Sequence, residues 1–271
     1  MEMDELILID GNIVKEPLTR SLFFGEGVFE TFRWNNQLPS HFNKHLERLR
    51  NGSELLRIPI PARETILKQI DYAVSLSDTN DLYIKLALIS KGDRIFFKTP
   101  DESSLLVMTR DYIESRDTVS ICVLSHKRNP ESILIRHKTF NYLENIIGRR
   151  EAIEKGYDEG LFLNTNDDLT EATSSNIFWA RGKDLFTPAA ESGLLPGITR
   201  EIIIEIAKNL GYKINARKFD LSYLLNSDFA FLTNSLIGMN YIEKVNKQVM
   251  PQINKNYINI REKLFIKLGW L

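Results

Sequence analysis

The sequence predicts a two-domain protein that mixes α-helices and β-strands (α+β or α/β), with a small N-terminal domain over residues 1–115 and a larger C-terminal domain over residues 116–271. A chain of 271 residues is long enough for two domains that each bury a core. Strand patterns and amphipathic helix patterns are interleaved along it. A polar stretch at residues 110–117 has the composition of a connector, although no Pro/Gly-rich linker marks it. We therefore place the boundary near residue 116.

The first half is predicted to begin with β structure. Asp10-Gly11-Asn12 is a turn signal between two short apolar runs, which is typical of a hairpin. Further on, Leu46 and Leu49 belong to an apolar series at helical spacing, and Ser40 is placed to cap the start of that helix. The predicted elements are a hairpin at residues 6–14, a strand over 25–34, helices over 39–58 and 62–76, and strands over 82–89 and 105–108.

The second half is predicted to alternate strands and helices. Leu143, Ile146 and Ile147 recur at helical spacing, and Gly156 follows as a stop signal. A later helix is punctuated at its end by Gly211. The predicted elements are strands over 119–124, 160–164, 176–180 and 229–233, and helices over 140–156, from the segment 195–200 to 211, and over 257–268.

Composition excludes several classes of function. A net charge of −1 provides no strong field for nucleic acid or an anionic membrane, so we expect a small-molecule ligand. Cys122 is the only cysteine, which rules out an internal disulfide and fits a reducing compartment. The acidic start of the chain does not resemble a secretory signal, and no apolar run reaches the roughly 18 residues of a membrane span. We expect a cytoplasmic protein.

Known nucleotide, metal and hydrolase motifs do not occur. Gly25-Glu26-Gly27 lacks the third glycine of a dinucleotide fingerprint, and there is no Walker-type loop or Gly-x-Ser-x-Gly elbow. His41 and His45 lie four residues apart but lack the glutamate of a metalloprotease helix, so a structural role is favoured and no metal site is predicted.

Two ionisable side chains, Lys138 and Glu171, are the candidates for chemistry. Lys138 lies beside apolar Ile135 and Phe140, where partial desolvation would lower its pKa and leave a neutral amine as nucleophile and proton carrier. Glu171 follows an apolar strand and could keep a pyridine nitrogen protonated. The pair fits opposite ends of pyridoxal phosphate, with Lys138 as its Schiff base. Taken singly, each also fits an ordinary surface or turn residue.

The phosphate of such a cofactor needs hydrogen-bond donors. The helix start at Gly197-Ile198-Thr199 would supply backbone N–H groups and a favourable dipole, although Thr199 could equally be a plain helix cap. Asn234-Ser235, after a buried strand, offers a second hydroxyl, and Arg48 a full positive charge. Ser174 and Ser175, close behind Glu171, could hydrogen-bond the ring or could be turn residues.

Six blocks, taken in order, resemble the class IV aminotransferase family of fold type IV pyridoxal-phosphate enzymes. They are FFGEGVFETFRW, HLERLR, HKTFNYLENII, GYDEGLFLNTNDDLTEATSSNIFW, GLLPGITREI and FLTNSLIG, and together they span most of the chain. The resemblance implies the two-domain fold of D-amino-acid aminotransferase-like enzymes, with the cofactor in the cleft between the domains. It also implies a homodimer whose partner chain completes the active site.

The resemblance also implies roles for individual residues. Lys138 is the Schiff-base lysine and proton shuttle, and Glu171 is the partner of the pyridine nitrogen. Tyr142 resembles the tyrosine that bonds the ring hydroxyl in branched-chain enzymes, but it follows the lysine one position sooner. The phosphate and the remaining cofactor contacts are implied for Arg48, Ile198, Thr199, Ser174, Ser175, Asn234 and Ser235.

Among the family members, FGEGVFETFR and TNSLIG look more like the aminodeoxychorismate lyases, which release pyruvate to give 4-aminobenzoate. A branched-chain or D-amino-acid aminotransferase acting on amino and keto acids is the first alternative. A pyridoxal-phosphate-binding protein without catalysis is the second. For the substrate carboxylate, the chain offers Lys91 or Arg94 where several members have an arginine clamp.

Overall fold

Two β-sheets, one in each half of the chain, organise the fold. A computed structural model describes residues 8–10, 12–13, 19–93 and 95–271. The smaller sheet is antiparallel, in the order β3-β4-β5. Alternate residues of β4 point to opposite faces, so Leu82, Ile84 and Leu86 enter the core under the helices while Tyr83 and Lys85 face the other way. The elements of this half are β1 (Leu8–Ile9), β2 (Asn12–Ile13), α1 (Arg20–Phe24), β3 (Gly27–Asn35), α2 (Phe42–Leu56), α3 (Arg63–Ser75), β4 (Asp81–Lys91) and β5 (Glu102–Asp111).

The larger sheet has nine strands in the order β11-β10-β9-β12-β13-β6-β7-β8, with β14 paired to β13. The pairs β6–β13, β6–β7 and β10–β11 are parallel, and the remaining pairs are antiparallel. Its strands are β6 (Thr118–Val123), β7 (Glu159–Leu163), β8 (Leu169–Ala172), β9 (Asn176–Arg181), β10 (Asp184–Pro188), β11 (Lys213–Arg217), β12 (Phe229–Asn234), β13 (Gly238–Val245) and β14 (Gln248–Val249).

Both faces of the larger sheet are buried. In β9, Phe178 and Ala180 enter one core with residues of the flanking helices, whereas Ile177 and Trp179 enter a second core on the opposite face. The sequence of a strand that is buried on both faces is a continuous run of apolar residues, as in the segment Ile177–Ala180. The helices of this half are α4 (Leu143–Glu154), α5 (Ile198–Asn209), α6 (Leu221–Leu225) and α7 (Lys255–Leu268), with 3-10 turns at Ile133–Arg136 and Ala190–Ser192.

A substitution at Phe178 tests the packing of the first of these cores. Its ring is fully buried and stacks on Phe231 with the ring centres 5.2 Å apart. We expect Phe178→Ala to lower the free energy of unfolding by about 3–5 kcal/mol, because it removes apolar contacts and leaves a cavity. Denaturant unfolding checks this, with Ile258→Ala as control. Ile258 is 46% exposed, and its truncation should change stability by less than about 0.5 kcal/mol. Equal losses in the two variants would contradict the core assignment.

Most predicted elements are confirmed to within a few residues, and two details are wrong. Ser40 does not cap α2: its hydroxyl donates to the Lys267 carbonyl at 3.3 Å, and the residue before the helix is His41. The helix after Lys138 begins at Leu143 rather than at residue 140, because Thr139 pairs with Val28 of β3 in extended conformation. Parts of the N-terminal hairpin lie outside the described residues, but its strands β1 and β2 do pair antiparallel.

The predicted mixed α and β class is confirmed, and β5 ends at Asp111 while β6 begins at Thr118. The domain boundary near residue 116 stays a prediction. Within the described parts of the chain, no helix combines the length and apolar character that crossing a membrane requires.

Candidate active site

A cavity of about 770 Å³ lies between the two sheets. The smaller sheet contributes Phe29, Thr31, Tyr83, Lys85 and Arg110 to its wall. The larger half contributes the segment around Lys138, the strand end at Glu171 and the start of α5. Its volume is in the range of cofactor and substrate sites.

Lys138 lies in a segment that crosses from the larger half to β3. The backbone N–H of Phe29 donates to the Lys138 carbonyl, and that of Phe140 to the Gly27 carbonyl, each at 2.9 Å. These bonds fix the lysine backbone against the smaller sheet. Its Nζ lies 4.5 Å from the centre of the Phe29 ring. Burial and the nearby Arg48 lower the pKa of Lys138 to about 8, so an appreciable fraction of the amine is neutral near neutral pH.

Glu171 is buried at the end of β8, and both of its carboxylate oxygens have donors. Oε1 accepts from Nη1 of Arg128 at 2.6 Å, and Oε2 accepts from the side-chain amide of Asn176 at 3.1 Å. Arg128 also donates through Nε to Glu144 at 2.9 Å, and its guanidinium lies 3.9 Å from the centre of the Phe162 ring. Burial raises the pKa of Glu171, and Arg128 opposes that rise. Arg128 therefore favours the anionic form of Glu171.

Arg48 reaches the cavity from α2 and is tied to Glu30 of β3. Its Nε and Nη2 donate to the two carboxylate oxygens of Glu30, each at 2.7 Å. His45, one turn earlier on α2, bonds the same carboxylate through Nδ1 at 2.7 Å. Burial raises the pKa of Glu30, but Arg48 and His45 outweigh it and lower that pKa to about 2.

The start of α5 lies beside Arg48 and carries hydroxyl donors. Gly197 is the N-cap, Ile198 and Thr199 are the first helical residues, and Thr199 Oγ1 lies 3.4 Å from Ser235 Oγ. Arg48 Nη1 lies 3.4 Å from the carbonyl of Pro196, just before the cap. Free N–H groups, the helix dipole, two hydroxyls and a guanidinium form a site suited to a phosphate.

The turn after β8 forms the next part of the wall. Asn234 donates to the Ser174 carbonyl and to the Ser175 hydroxyl, both at 3.0 Å, and so ties this turn to the end of β12. The Tyr142 hydroxyl donates to the Thr173 carbonyl at 3.5 Å. Burial, reinforced by Glu171, raises the pKa of Tyr142 to about 12, so its hydroxyl keeps its proton and remains a donor.

The structure brings most of the predicted site residues to this one cavity. Its lining includes Arg48, Lys138, Tyr142, Glu171, Ser174, Ser175, Ile198, Thr199, Asn234 and Ser235. Lys91, at the last position of β4, is not among the lining residues, and Arg94 lies outside the described residues. The roles of all these residues stay predictions.

Sequence reasoning missed the residues that hold the predicted ones in place. Glu30 anchors Arg48, and Arg128 with Asn176 anchors Glu171. The available signal was charge within apolar surroundings: Glu30 lies between Phe29 and Phe32 on a predicted strand. An acidic residue there requires a buried partner, which the sequence does not name.

Fold and cleft together define the class of protein, a pyridoxal-phosphate-dependent enzyme of fold type IV. The chain belongs to the amino-transferase class IV family, whose model matches residues 27–245. It is 32% identical to the aminodeoxychorismate lyase of Bacillus subtilis (strain 168), over 89% of this chain and 88% of that protein. The predicted family resemblance is thereby confirmed.

Two solved structures share the fold. One, from Legionella pneumophila and named as a candidate 4-amino-4-deoxychorismate lyase, has a TM-score of 0.84 and 29% identity, covering 92% of each chain. The other is the branched-chain aminotransferase of Thermoproteus uzoniensis, solved with norvaline, with a TM-score of 0.85 and 27% identity, covering 96% of this chain and 94% of that one.

The donor set in the cavity fits pyridoxal phosphate. A partly neutral lysine suits an aldehyde, a buried carboxylate suits a ring nitrogen that must stay protonated, and the start of α5 suits a phosphate. The start of α5 is also packed closely against Asn176, because a methyl group on Gly197 would overlap Oδ1 of Asn176. The glycine therefore allows the start of α5 to lie against the amide that holds Glu171.

Gly197→Ala tests this close approach. We expect it to weaken pyridoxal phosphate binding about tenfold, because the added methyl group overlaps Asn176 and must displace it or the helix start. Titration of the apoenzyme with the cofactor measures the effect. The matched comparison is the double variant with Asn176→Ala, which should bind no worse than Asn176→Ala alone, since the overlap is gone. Fully additive losses would contradict the overlap.

Proposed function

We propose that this enzyme is an aminodeoxychorismate lyase, which releases pyruvate from aminodeoxychorismate and leaves 4-aminobenzoate. The observation that carries the proposal is the similarity to the Bacillus subtilis lyase, which runs over 89% of the chain at 32% identity. The proposal includes the roles of Lys138, Glu171 and the phosphate site at α5. It also assigns substrate binding to the wall of the cavity that the smaller sheet forms.

Two cations on that side support a substrate with carboxylates. Lys85 Nζ lies 4.5 Å from the centre of the Phe29 ring, and the Arg110 guanidinium lies 4.1 Å from that of Tyr83. Tyr83 and Arg110 are directly paired across β4 and β5, so Lys85 is diagonal to Arg110 on one sheet face. Aminodeoxychorismate carries two carboxylates. Lys85 and Arg110 are therefore better placed to bind them than Lys91, which does not line the cavity.

In this proposal the side chains of the enzyme bind, orient and move protons. Pyridoxal phosphate, when bound, supplies an electron sink for negative charge at the substrate carbon. Nζ of Lys138 removes a proton and later returns one, which its lowered pKa of about 8 allows. Glu171 keeps the pyridine nitrogen protonated, while Arg128 and Asn176 hold the carboxylate in position.

The direct test is incubation of the holoenzyme with aminodeoxychorismate. We expect pyruvate and 4-aminobenzoate in equal amounts, measured by a coupled dehydrogenase assay and by fluorescence. No pyruvate from enzyme with bound cofactor would exclude the lyase function. The control is the same incubation with Lys138→Ala, which should give neither product.

A branched-chain or D-amino-acid aminotransferase is the second candidate. The similarity to the Thermoproteus uzoniensis branched-chain enzyme favours it, since 96% of this chain aligns with that structure. It predicts that an amino acid alone converts the bound cofactor from its aldehyde to its amine form. A panel of amino acids, read by absorbance, separates the two activities, because an aminotransferase requires this conversion and a pure lyase does not.

We further infer a cytoplasmic homodimer. The single, buried thiol of Cys122 suits a reducing compartment. Several large apolar side chains are more than half exposed in the single chain, which suits a surface covered by a second copy. They include Leu22, Phe96, Phe97, Leu143 and Ile147. Sedimentation equilibrium tests the dimer.

A further inference from the structure

We propose that Glu30 is a positioning residue for the cofactor phosphate, because it fixes the orientation of the Arg48 guanidinium. The inference rests on the proposed phosphate site at the start of α5. It adds to that site the side chains of β3 and α2 that hold Arg48 in place. Glu30 itself does not line the cavity, so its effect on a ligand must pass through Arg48.

The bonds of Arg48 leave one end of its guanidinium free for a ligand. Nε and Nη2 form two parallel bonds with the Glu30 carboxylate, both at 2.7 Å. Among the described residues, the remaining nitrogen, Nη1, has only a long contact of 3.4 Å, to the carbonyl of Pro196 at the start of α5. A two-point bond of this kind fixes both the position and the plane of a guanidinium. Glu30 thereby directs Nη1 toward the phosphate site.

His45 fixes Glu30 in turn. It lies three residues before Arg48 on α2, so both side chains reach the same carboxylate from one helix face. Burial lowers the pKa of His45, which favours the neutral ring and makes Nδ1 the donor to Glu30. Its other nitrogen, Nε2, is buried with no hydrogen-bond partner among the described residues. The hydrogen bond that the His45 ring forms among the described residues is therefore the one to Glu30.

Two roles for Glu30 make opposite predictions. If Glu30 only neutralised Arg48, its removal would leave a net positive charge near the phosphate and tighten binding. If Glu30 orients Arg48, its removal lets the guanidinium turn away and weakens binding. The carboxylate is fully buried and the Arg48 side chain is 16% exposed, so Arg48 has solvent to turn toward.

The test is Glu30→Gln, which keeps the shape but cannot accept both Arg48 bonds. Apoenzyme is titrated with pyridoxal phosphate and, separately, with pyridoxal, which lacks the phosphate. We expect pyridoxal phosphate to bind about tenfold more weakly, in line with the loss of one charge-assisted hydrogen bond, and pyridoxal to bind as in the wild type. Glu47→Gln, an identical charge change on the exposed side of α2 next to Arg48, should alter neither constant.

Tighter pyridoxal phosphate binding by Glu30→Gln, or an equal loss for both ligands, would overturn the proposal. Arg48→Lys gives a second route if Glu30→Gln folds poorly, since lysine cannot form the two-point bond. Arg48→Lys should show the same selective loss, and adding Glu30→Gln to it should cause little further change. A full second loss would also overturn the proposal.

Both titrations omit substrate, so an inactive lyase leaves this inference intact. A wild type that fails to bind the cofactor overturns the proposed function instead.

Discussion

We expect Lys138→Ala to lower kcat by at least about 10³-fold. General acid–base catalysis alone contributes about 10²–10⁴-fold, and this residue is also the proposed attachment point of the cofactor. The variant should keep its fold, because the backbone bonds of residue 138 to β3 do not depend on the side chain. Steady-state pyruvate formation and the visible absorbance of the lysine-linked cofactor measure the two losses.

The control for this experiment is Lys127→Ala. Lys127 is 43% exposed, pairs with Asp167 at 2.7 Å, and is not among the residues that line the cavity. It should leave kcat unchanged. A Lys138→Ala variant that keeps both the absorbance and turnover would show that another amine forms the link.

The lowered pKa of Lys138 adds a dependence on pH. Burial and Arg48 lower it to about 8, so the neutral amine is a minor fraction at pH 6 and the major one at pH 9. Attachment of pyridoxal phosphate to the apoenzyme should therefore speed up as pH rises and level off above about 8. An attachment rate that is flat from pH 6 to 9 would contradict this.

Arg128→Met is expected to have the second largest effect. Burial already raises the pKa of Glu171, and the variant removes the cation that opposes the rise. More of Glu171 is then protonated at a given pH, so activity at pH 6 should fall more than activity at pH 8. The positive charge of Lys138 still acts on Glu171, so a partial shift of the acid limb is expected rather than complete loss.

Stability should fall as well, because breaking a buried ion pair leaves an uncompensated charge and typically costs about 3–5 kcal/mol. The measurements are the pH profile of kcat/KM and denaturant unfolding. Arg150→Met, which removes an exposed arginine of α4, is the matched control and should change neither. An unchanged acid limb in folded Arg128→Met would show that Arg128 does not set the charge of Glu171.

Most of the long, strongly patterned elements could be predicted from the sequence, but several strands were missed, among them the eight-residue β13 (Gly238–Val245) and the shorter β8 and β11. Strand β8 (Leu169–Ala172) was missed because Thr170 and Glu171 are buried polar residues, which a hydrophobic pattern does not recognise. Strand β11 (Lys213–Arg217) does alternate polar and apolar residues, but its run of five has only Ile214 and Ala216 as apolar members and is largely exposed, which is too weak a signal to detect. Tertiary pairing, rather than local preference, places both in the sheet.

The site could be predicted as a set of residues but not as a network. Lys138, Glu171 and Thr199 stand in recognisable blocks, and all three line one cavity. Their supports are remote in sequence: 18 positions separate Glu30 from Arg48, and 43 separate Arg128 from Glu171. No local pattern encodes such pairs. Lys91 and Arg94 were preferred to Lys85 for the substrate carboxylate, because the direction of Lys85 depends on the alternation of β4 in the folded sheet.

The joining of Lys138 to β3 restricts how this protein can be recombined with its relatives. The lysine comes from one half of the chain, but its backbone hydrogen bonds are with residues 27–29 of the other. A chimera that exchanges only the second half therefore replaces the segment that carries the reactive lysine and keeps the strand that aligns it. Functional chimeras should need residues 27–29 and 138–140 from the same parent, because the side chains of the two segments also pack together: a Cβ on Gly27 would lie 2.5 Å from the Phe140 ring, and the Phe29 and Phe140 ring centres are 6.2 Å apart.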